Sequence, residues 1–271
     1  MNPEGKFLLF YVLTCLFCMP LSAQDKSARE RLFAAHAMYY TPTASGLTSF
    51  YCDTTIDWKA TLTRIAGKEI PDDNPTLKFL QTVHLSVADD LKDKGSLGWT
   101  VASDPPEGKE NAIKQMREGL QTSVEGFFQS WNAYMNGSMV PLPDSTVTVT
   151  KSGDGVHLSG ESKDMKFDED FDKNMLLTQA LVVGPNLRVL ATPTFQRTPD
   201  GLVVSAVTSQ MNQPPTAPQT EATFRIDYAT VDSFQIPSHI ALNVKNTASF
   251  EFNFSACQVS IAEWAKTPQR H

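Results

Sequence analysis

The chain has 271 residues, a formal net charge of −7 and a hydrophobic fraction of 41%. Its basic residues form no stripe or cluster, which excludes nucleic acid as a partner class. The length accommodates one large domain with a real core, and beyond the first residues no segment is long and apolar enough to span a bilayer.

Residues 1–23 read as a secretory signal peptide. Lys6 opens it, Phe7 to Leu21 is apolar apart from Thr14 and Pro20, and Ser22-Ala23 supplies a small-residue cleavage site. A membrane anchor is the competing reading, but it needs roughly 20 apolar residues, more than this run holds. Thr14 and Phe17 precede Cys15 and Cys18 where lipid attachment would want a small residue. The expectation is a periplasmic or secreted protein with residues 24–271 as a single domain. In an oxidising compartment Cys52 and Cys257 are disulfide candidates; two buried free thiols are the alternative.

Asp25 to Tyr40 has helical character, with Leu32, Ala35 and Tyr39 at spacings of three and four, and Pro42 stops it. From Gly46 a long alternation begins, with Phe50, Cys52, Thr54, Ile56 and Trp58 on one face. It predicts one long bent strand, or two, running on through Leu62 to Ile65. Asn74-Pro75 signals a capped short helix carrying Leu77, Phe79 and Leu80. Val83, Leu85 and Val87 alternate as a strand, and Gly98 to Ala102 is another candidate. Glu107 to Asn136 is the strongest predicted helix, its apolar stripe formed by Ile113, Met116, Leu120, Val124, Phe127, Trp131 and Tyr134.

After Ser145 the pattern is almost wholly β. Val147 and Val149 face Val156 and Leu158 across a Gly153-Asp154-Gly155 turn. Met175 to Val183 is apolar on both faces, as in a strand covered on both sides. Leu187 to Thr192 and Leu202 to Ala206 follow further turns, and Gln213 to Gln219 is a proline-rich loop. Thr220 to Val259 reads as three alternating strands, with Phe224, Ile226 and Tyr228, then Ile240, Leu242 and Val244, then Phe250, Phe252 and Phe254 on one face. The class is α+β: a large antiparallel sheet whose apolar face takes the Trp131 helix, with an amino-terminal helix besides.

The segment Tyr228-Ala229-Thr230-Val231-Asp232-Ser233-Phe234-Gln235-Ile236-Pro237 resembles LolA-like outer-membrane lipoprotein-sorting proteins. So does the order of signal peptide, helix, strand, embedded helices and long meander. Ser233 departs from the glycine usual in that turn. The resemblance implies an open, curved half-barrel wrapped around helices, holding acyl or lipid-like groups between sheet and helix.

No enzyme motif emerges. The five histidines, His36, His84, His157, His239 and His271, lack metal-ligand spacing, and there is no serine elbow, Walker loop or dinucleotide fingerprint. No cofactor or metal is expected. Asp168, Asp170 and Asp172 alternate like the start of a calcium loop, but Lys173 stands where glycine is required. A solvated strand edge with Phe167 and Phe171 turned inward is the preferred reading, a cation site the other. Function then rests on the aromatic surplus. Phe127, Phe128, Trp131 and Tyr134 on the helix and Phe250, Phe252 and Phe254 on the sheet are the candidate walls of a hydrophobic pocket. The expected role is a non-catalytic carrier of a lipid-like or acyl ligand. The alternative is an envelope structural or protein-interaction module with a closed core and no ligand.

Overall fold

The computed structural model describes residues 26–92, 95–136, 140, 147–162, 164–245 and 248–263. The segment expected to be a signal peptide lies outside these. The described chain runs α1 (Lys26–Ala34), a 3-10 turn (Ala35–Met38), β1 (Leu47–Ile56), α2 (Trp58–Ala66), α3 (Pro75–Gln81), β2 (His84–Asp89), β3 (Ser96–Thr100) and α4 (Glu110–Met135). Nine strands follow: β4 (Thr148–Ser152), β5 (Gly155–Ser162), β6 (Met165–Phe171), β7 (Leu177–Gly184), β8 (Leu187–Thr198), β9 (Gly201–Asn212), β10 (Thr220–Val231), β11 (Phe234–Val244) and β12 (Ala248–Ile261).

All twelve strands form one open antiparallel sheet, in the order β3-β2-β1-β12-β11-β10-β9-β8-β7-β6-β5-β4. Two meanders therefore meet where β1 pairs with β12. Helix α4 links the two edges of the sheet, and its 26 residues span about 39 Å. Its buried side includes Ile113, Leu120, Val124, Phe127, Phe128, Trp131 and Tyr134. Met116, at the remaining stripe position, is partly buried against the same core.

One predicted element changes type. The alternation of β1 ends at Ile56, and Trp58–Ala66 is helix rather than more strand. Asp57 caps it by accepting a hydrogen bond from the Ala60 backbone at 2.9 Å, and Gly67 closes it in the left-handed region. Trp58, Leu62 and Ile65 fit helical spacing as well as they continue the strand, and the two caps decide between them. The Asn74 cap of α3 forms as expected, its side chain accepting from Thr76 and Leu77.

One register and one burial pattern also differ from expectation. Val149 pairs with Leu158, but Val156 lies opposite Lys151. Strand β7 is not covered on both sides, since Thr178 and Gln179 are exposed.

The β10–β11 hairpin turns through Asp232 and Ser233, both at positive φ, between the paired residues Val231 and Phe234. Two left-handed central residues match the turn twist to the strand twist, so the hairpin holds without the glycine usual there. Tyr39 and Tyr40 tie the amino-terminal segment to the sheet. The Tyr39 hydroxyl donates to the Met175 carbonyl at 2.8 Å and accepts from the Leu177 backbone at 3.0 Å. That of Tyr40 accepts from the Gln235 backbone at 3.1 Å. Gly201 lies directly beneath this segment: a Cβ there would stand 3.0 Å from both the Met38 carbonyl oxygen and the Tyr40 nitrogen.

Cys52 and Cys257 form a disulfide with their Cα atoms 4.1 Å apart. A bulge makes this possible. Thr54 pairs with Phe254 and Phe50 with Val259, with a register shift between Tyr51 and Asp53. Ala256, at φ 48°, is the residue that absorbs it. Paired residues share a face, so Phe250, Phe252 and Phe254 face α4 before the bulge, and Cys257, Val259 and Ile261 after it. An unbroken strand would have turned Cys257 away from Cys52.

Candidate functional site

The aromatic residues expected to wall a pocket do meet across the helix–sheet interface. The Phe128 ring lies 4.9 Å from Phe127, 5.6 Å from Phe50 and 6.3 Å from Phe254, the last pair stacked. Phe127 reaches Phe224 at 5.4 Å, edge to face. Such pairs are worth about 0.5–1.5 kcal/mol each beyond the area they bury. The indole of Trp131 donates to the Tyr228 hydroxyl at 3.0 Å, and that hydroxyl donates to the Val204 carbonyl at 2.7 Å. Burial holds the Tyr228 phenol well above its ordinary pKa, so it stays a neutral donor.

These walls touch. The space bounded by Val124, Phe127, Phe128, Ile240, Leu242, Phe252 and Phe254 leaves no room for a water molecule. Phe250 packs beside Phe252 with ring centroids 6.3 Å apart. Tyr134 is separate from this cluster and lies toward β6, near Glu169.

The same face of the sheet is open farther along. Phe167 pairs with Val182, Val182 with Val189, and Val189 with Met211. This row crosses β6, β7, β8 and β9 in register. Its first three members are half-buried, and Met211 is 36% exposed. The Phe167 ring lies over Gly160, where any Cβ would collide with it. Val182, Val189 and Met211 stand outside the packed core.

Glu169 belongs to this face, two residues from Phe167 and paired with Leu158 and Ala180. Burial alone pushes its carboxyl up to about 7. It makes no hydrogen bond or ion pair with a described residue, and the Tyr134 hydroxyl has no hydrogen-bond partner there either. Glu169 was hidden in sequence by the aspartates on either side; its alternation with Phe167 and Phe171 is the signal that locates it.

A second polar site was not foreseen. Asp89 ends β2 facing inward and is 2% exposed. Its Oδ1 accepts from the Asn132 amide and the Leu91 backbone, both at 3.0 Å. Asn136 donates to the Leu91 carbonyl at 2.7 Å and to Asn132 Oδ1 at 3.0 Å. Asp89 Oδ2 and Asn136 Oδ1 are buried without a hydrogen-bond partner among the described residues. Burial, the largest influence on Asp89, raises its carboxyl to about 6 against the lowering effect of these hydrogen bonds. Beside the cluster is a cleft of about 800 Å³, lined among the described residues by Asp90, Leu91, Lys92, Gln129, Ala133 and the two asparagines. The arrangement anchors the carboxyl end of α4 to β2.

The three aspartates do not act together. His157 lies 2.9 Å from Asp170 and 3.5 Å from Asp168, while Asp172 caps a turn by accepting from the backbones of Asn174 and Leu176. Among the described residues no group of three or more His, Cys, Asp or Glu side chains is arranged to hold a metal ion. Among those residues, too, no helix is long and apolar enough to cross a membrane.

No family model, curated protein or solved structure matches the chain.

Proposed function

We propose that this is an exported, non-catalytic protein that binds a hydrophobic, lipid-like or acyl ligand on the helix-bearing face of a curved half-barrel sheet. The observation that carries the reading is the in-register apolar row Phe167–Val182–Val189–Met211, left half-exposed on the face that elsewhere packs against α4. Each methylene a ligand buries there gains about 0.8 kcal/mol. The signal peptide expected over residues 1–23, a periplasmic or secreted location and the LolA-like resemblance of Tyr228–Pro237 belong to the same reading. The test is native extraction of the purified protein with mass spectrometry of the extract, alongside titration with a fluorescent acyl probe. Co-purified lipid or saturable probe binding, lost in Val189→Asp, is the expected result. An empty protein that binds no probe sinks the reading.

A second reading has its own support. The filled interface between α4 and strands β11 and β12 suits an envelope interaction module with a closed core. Its mark is capture of an envelope protein by a chain that binds no apolar probe.

A further inference from the structure

We infer that the apolar row selects amphiphiles with a cationic head, an alkylammonium group, and that Glu169 is the residue that receives it. This rests on the ligand-binding reading above and adds the chemistry of the head.

The position of Glu169 is unusual on physical grounds. A strand that alternates Phe167, Glu169 and Phe171 on one side places a carboxyl where its neighbours are apolar. Its partners across the ladders are Leu158 and Ala180, neither of which offers a proton or a charge. Glu169 is half-buried among apolar neighbours, so its carboxyl loses part of its hydration without gaining a partner among the described residues, a cost that a ligand's polar head would offset. Among the described residues the polar groups within its electrostatic reach include two hydroxyls. Tyr134 comes from α4 and Tyr39 from the segment before β1, and burial keeps both phenols protonated through the neutral range, that of Tyr39 to about 12. Tyr39 is already committed to Met175 and Leu177, so among the described residues Tyr134 is the hydroxyl here that makes no hydrogen bond. Among the described residues no cation stands close enough to offset the desolvation of Glu169.

A charged acceptor beside a neutral hydroxyl, at the foot of an apolar row, suits an ammonium head with a hydrocarbon tail. The head satisfies the carboxylate while the tail lies along Val182, Val189 and Met211. A fatty-acid carboxylate in the same pose would meet a like charge, and a neutral alcohol would supply one ordinary hydrogen bond. Charge-assisted hydrogen bonds are roughly twice as strong as neutral ones, which sets the order amine, alcohol, acid.

The experiment is displacement of a bound fluorescent apolar probe by dodecylamine, dodecanol and dodecanoate at about pH 8.5, above the Glu169 carboxyl and below the amine. The amine should displace at least about tenfold more effectively than the acid. Glu169→Gln should bring the two within about threefold while leaving dodecanol unchanged, and Glu169→Lys should reverse the order. If either variant fails to fold, lowering the pH of the wild type to about 5 protonates Glu169 and should shrink the advantage of dodecylamine over dodecanol, neither of which titrates over that range. Equal displacement by amine and acid, or an amine preference retained in Glu169→Gln, overturns the headgroup assignment and leaves the binding reading standing. Failure of the wild type to bind the probe or any of the three competitors overturns both.

Discussion

The Trp131 indole donates to the Tyr228 hydroxyl at 3.0 Å, and the hydroxyl in turn donates to the Val204 carbonyl. One oxygen thus satisfies a helix donor and a strand acceptor. Tyr228→Phe keeps the ring and removes both bonds, stranding two buried polar groups. The expected loss is about 1–3 kcal/mol, measured from the urea midpoint with an unchanged slope. A loss below about 0.5 kcal/mol would mean that water replaces the hydroxyl.

The Cys52–Cys257 bridge closes a loop across a sequence separation of 205. Chain-entropy reasoning assigns such a loop about 5 kcal/mol, and strain subtracts from it. The double substitution to alanine should lower stability by about 2–5 kcal/mol and release the pairing of β1 with β12 first. Hydrogen exchange of the β1 and β12 amides is the readout. Uniform acceleration over the whole sheet would contradict this order.

Phe128 tests where an apolar ligand sits. Phe128→Ala leaves a void among Phe50, Phe127 and Phe254 and should cost about 3–5 kcal/mol. Probe affinity should be kept, because the row from Phe167 to Met211 is untouched. Val189→Asp should do the reverse, abolishing binding with a smaller effect on the melting temperature. If Phe128→Ala alone abolishes binding in a folded protein, the ligand enters the helix–sheet interface.

Asp89 makes a prediction about pH. Its carboxyl is raised from 3.8 to about 6 on folding, so between those values the folded chain holds more protons than the unfolded one. The contribution of this group is therefore largest in acid, declines as the pH rises through that window and is flat above it. Asp89→Asn removes the decline. Its stability relative to wild type should rise by on the order of 2 kcal/mol between about pH 4 and 7. A constant difference across that range would show that Asp89 ionises freely in the fold. Glu169 follows the same sign with its upper limit near 7, so Glu169→Gln should show its gain at a higher pH than Asp89→Asn.

Much of the fold was legible because it rests on simple periods. The stripe from Ile113 to Tyr134 and the alternation of Phe224, Ile240 and Phe252 specify which faces are buried, and these faces do meet. What escaped depends on single residues that break a period. Asp57 starts a helix where the strand pattern still runs, and Ala256 inserts one residue and moves Cys257 to the other side. Polar residues at apolar positions escaped too. Asp89 and Glu169 occupy inward places in their strands, and a pattern search for hydrophobic alternation passes over them. The sequence supplied the walls of the expected pocket but not their separation, because packing distance is set by side-chain interdigitation across elements far apart in the chain.

The pairing of β1 with β12 bears on how the molecule comes into being. The first strand finds one of its two neighbours only once Ala248–Ile261 has been made, so this part of the sheet closes late and through contacts remote in sequence. Until then one long border of β1 is a naked template for other chains. A newly made copy should depend on a holding chaperone for that interval, and oxidation of its two thiols should mark the moment at which the dependence ends.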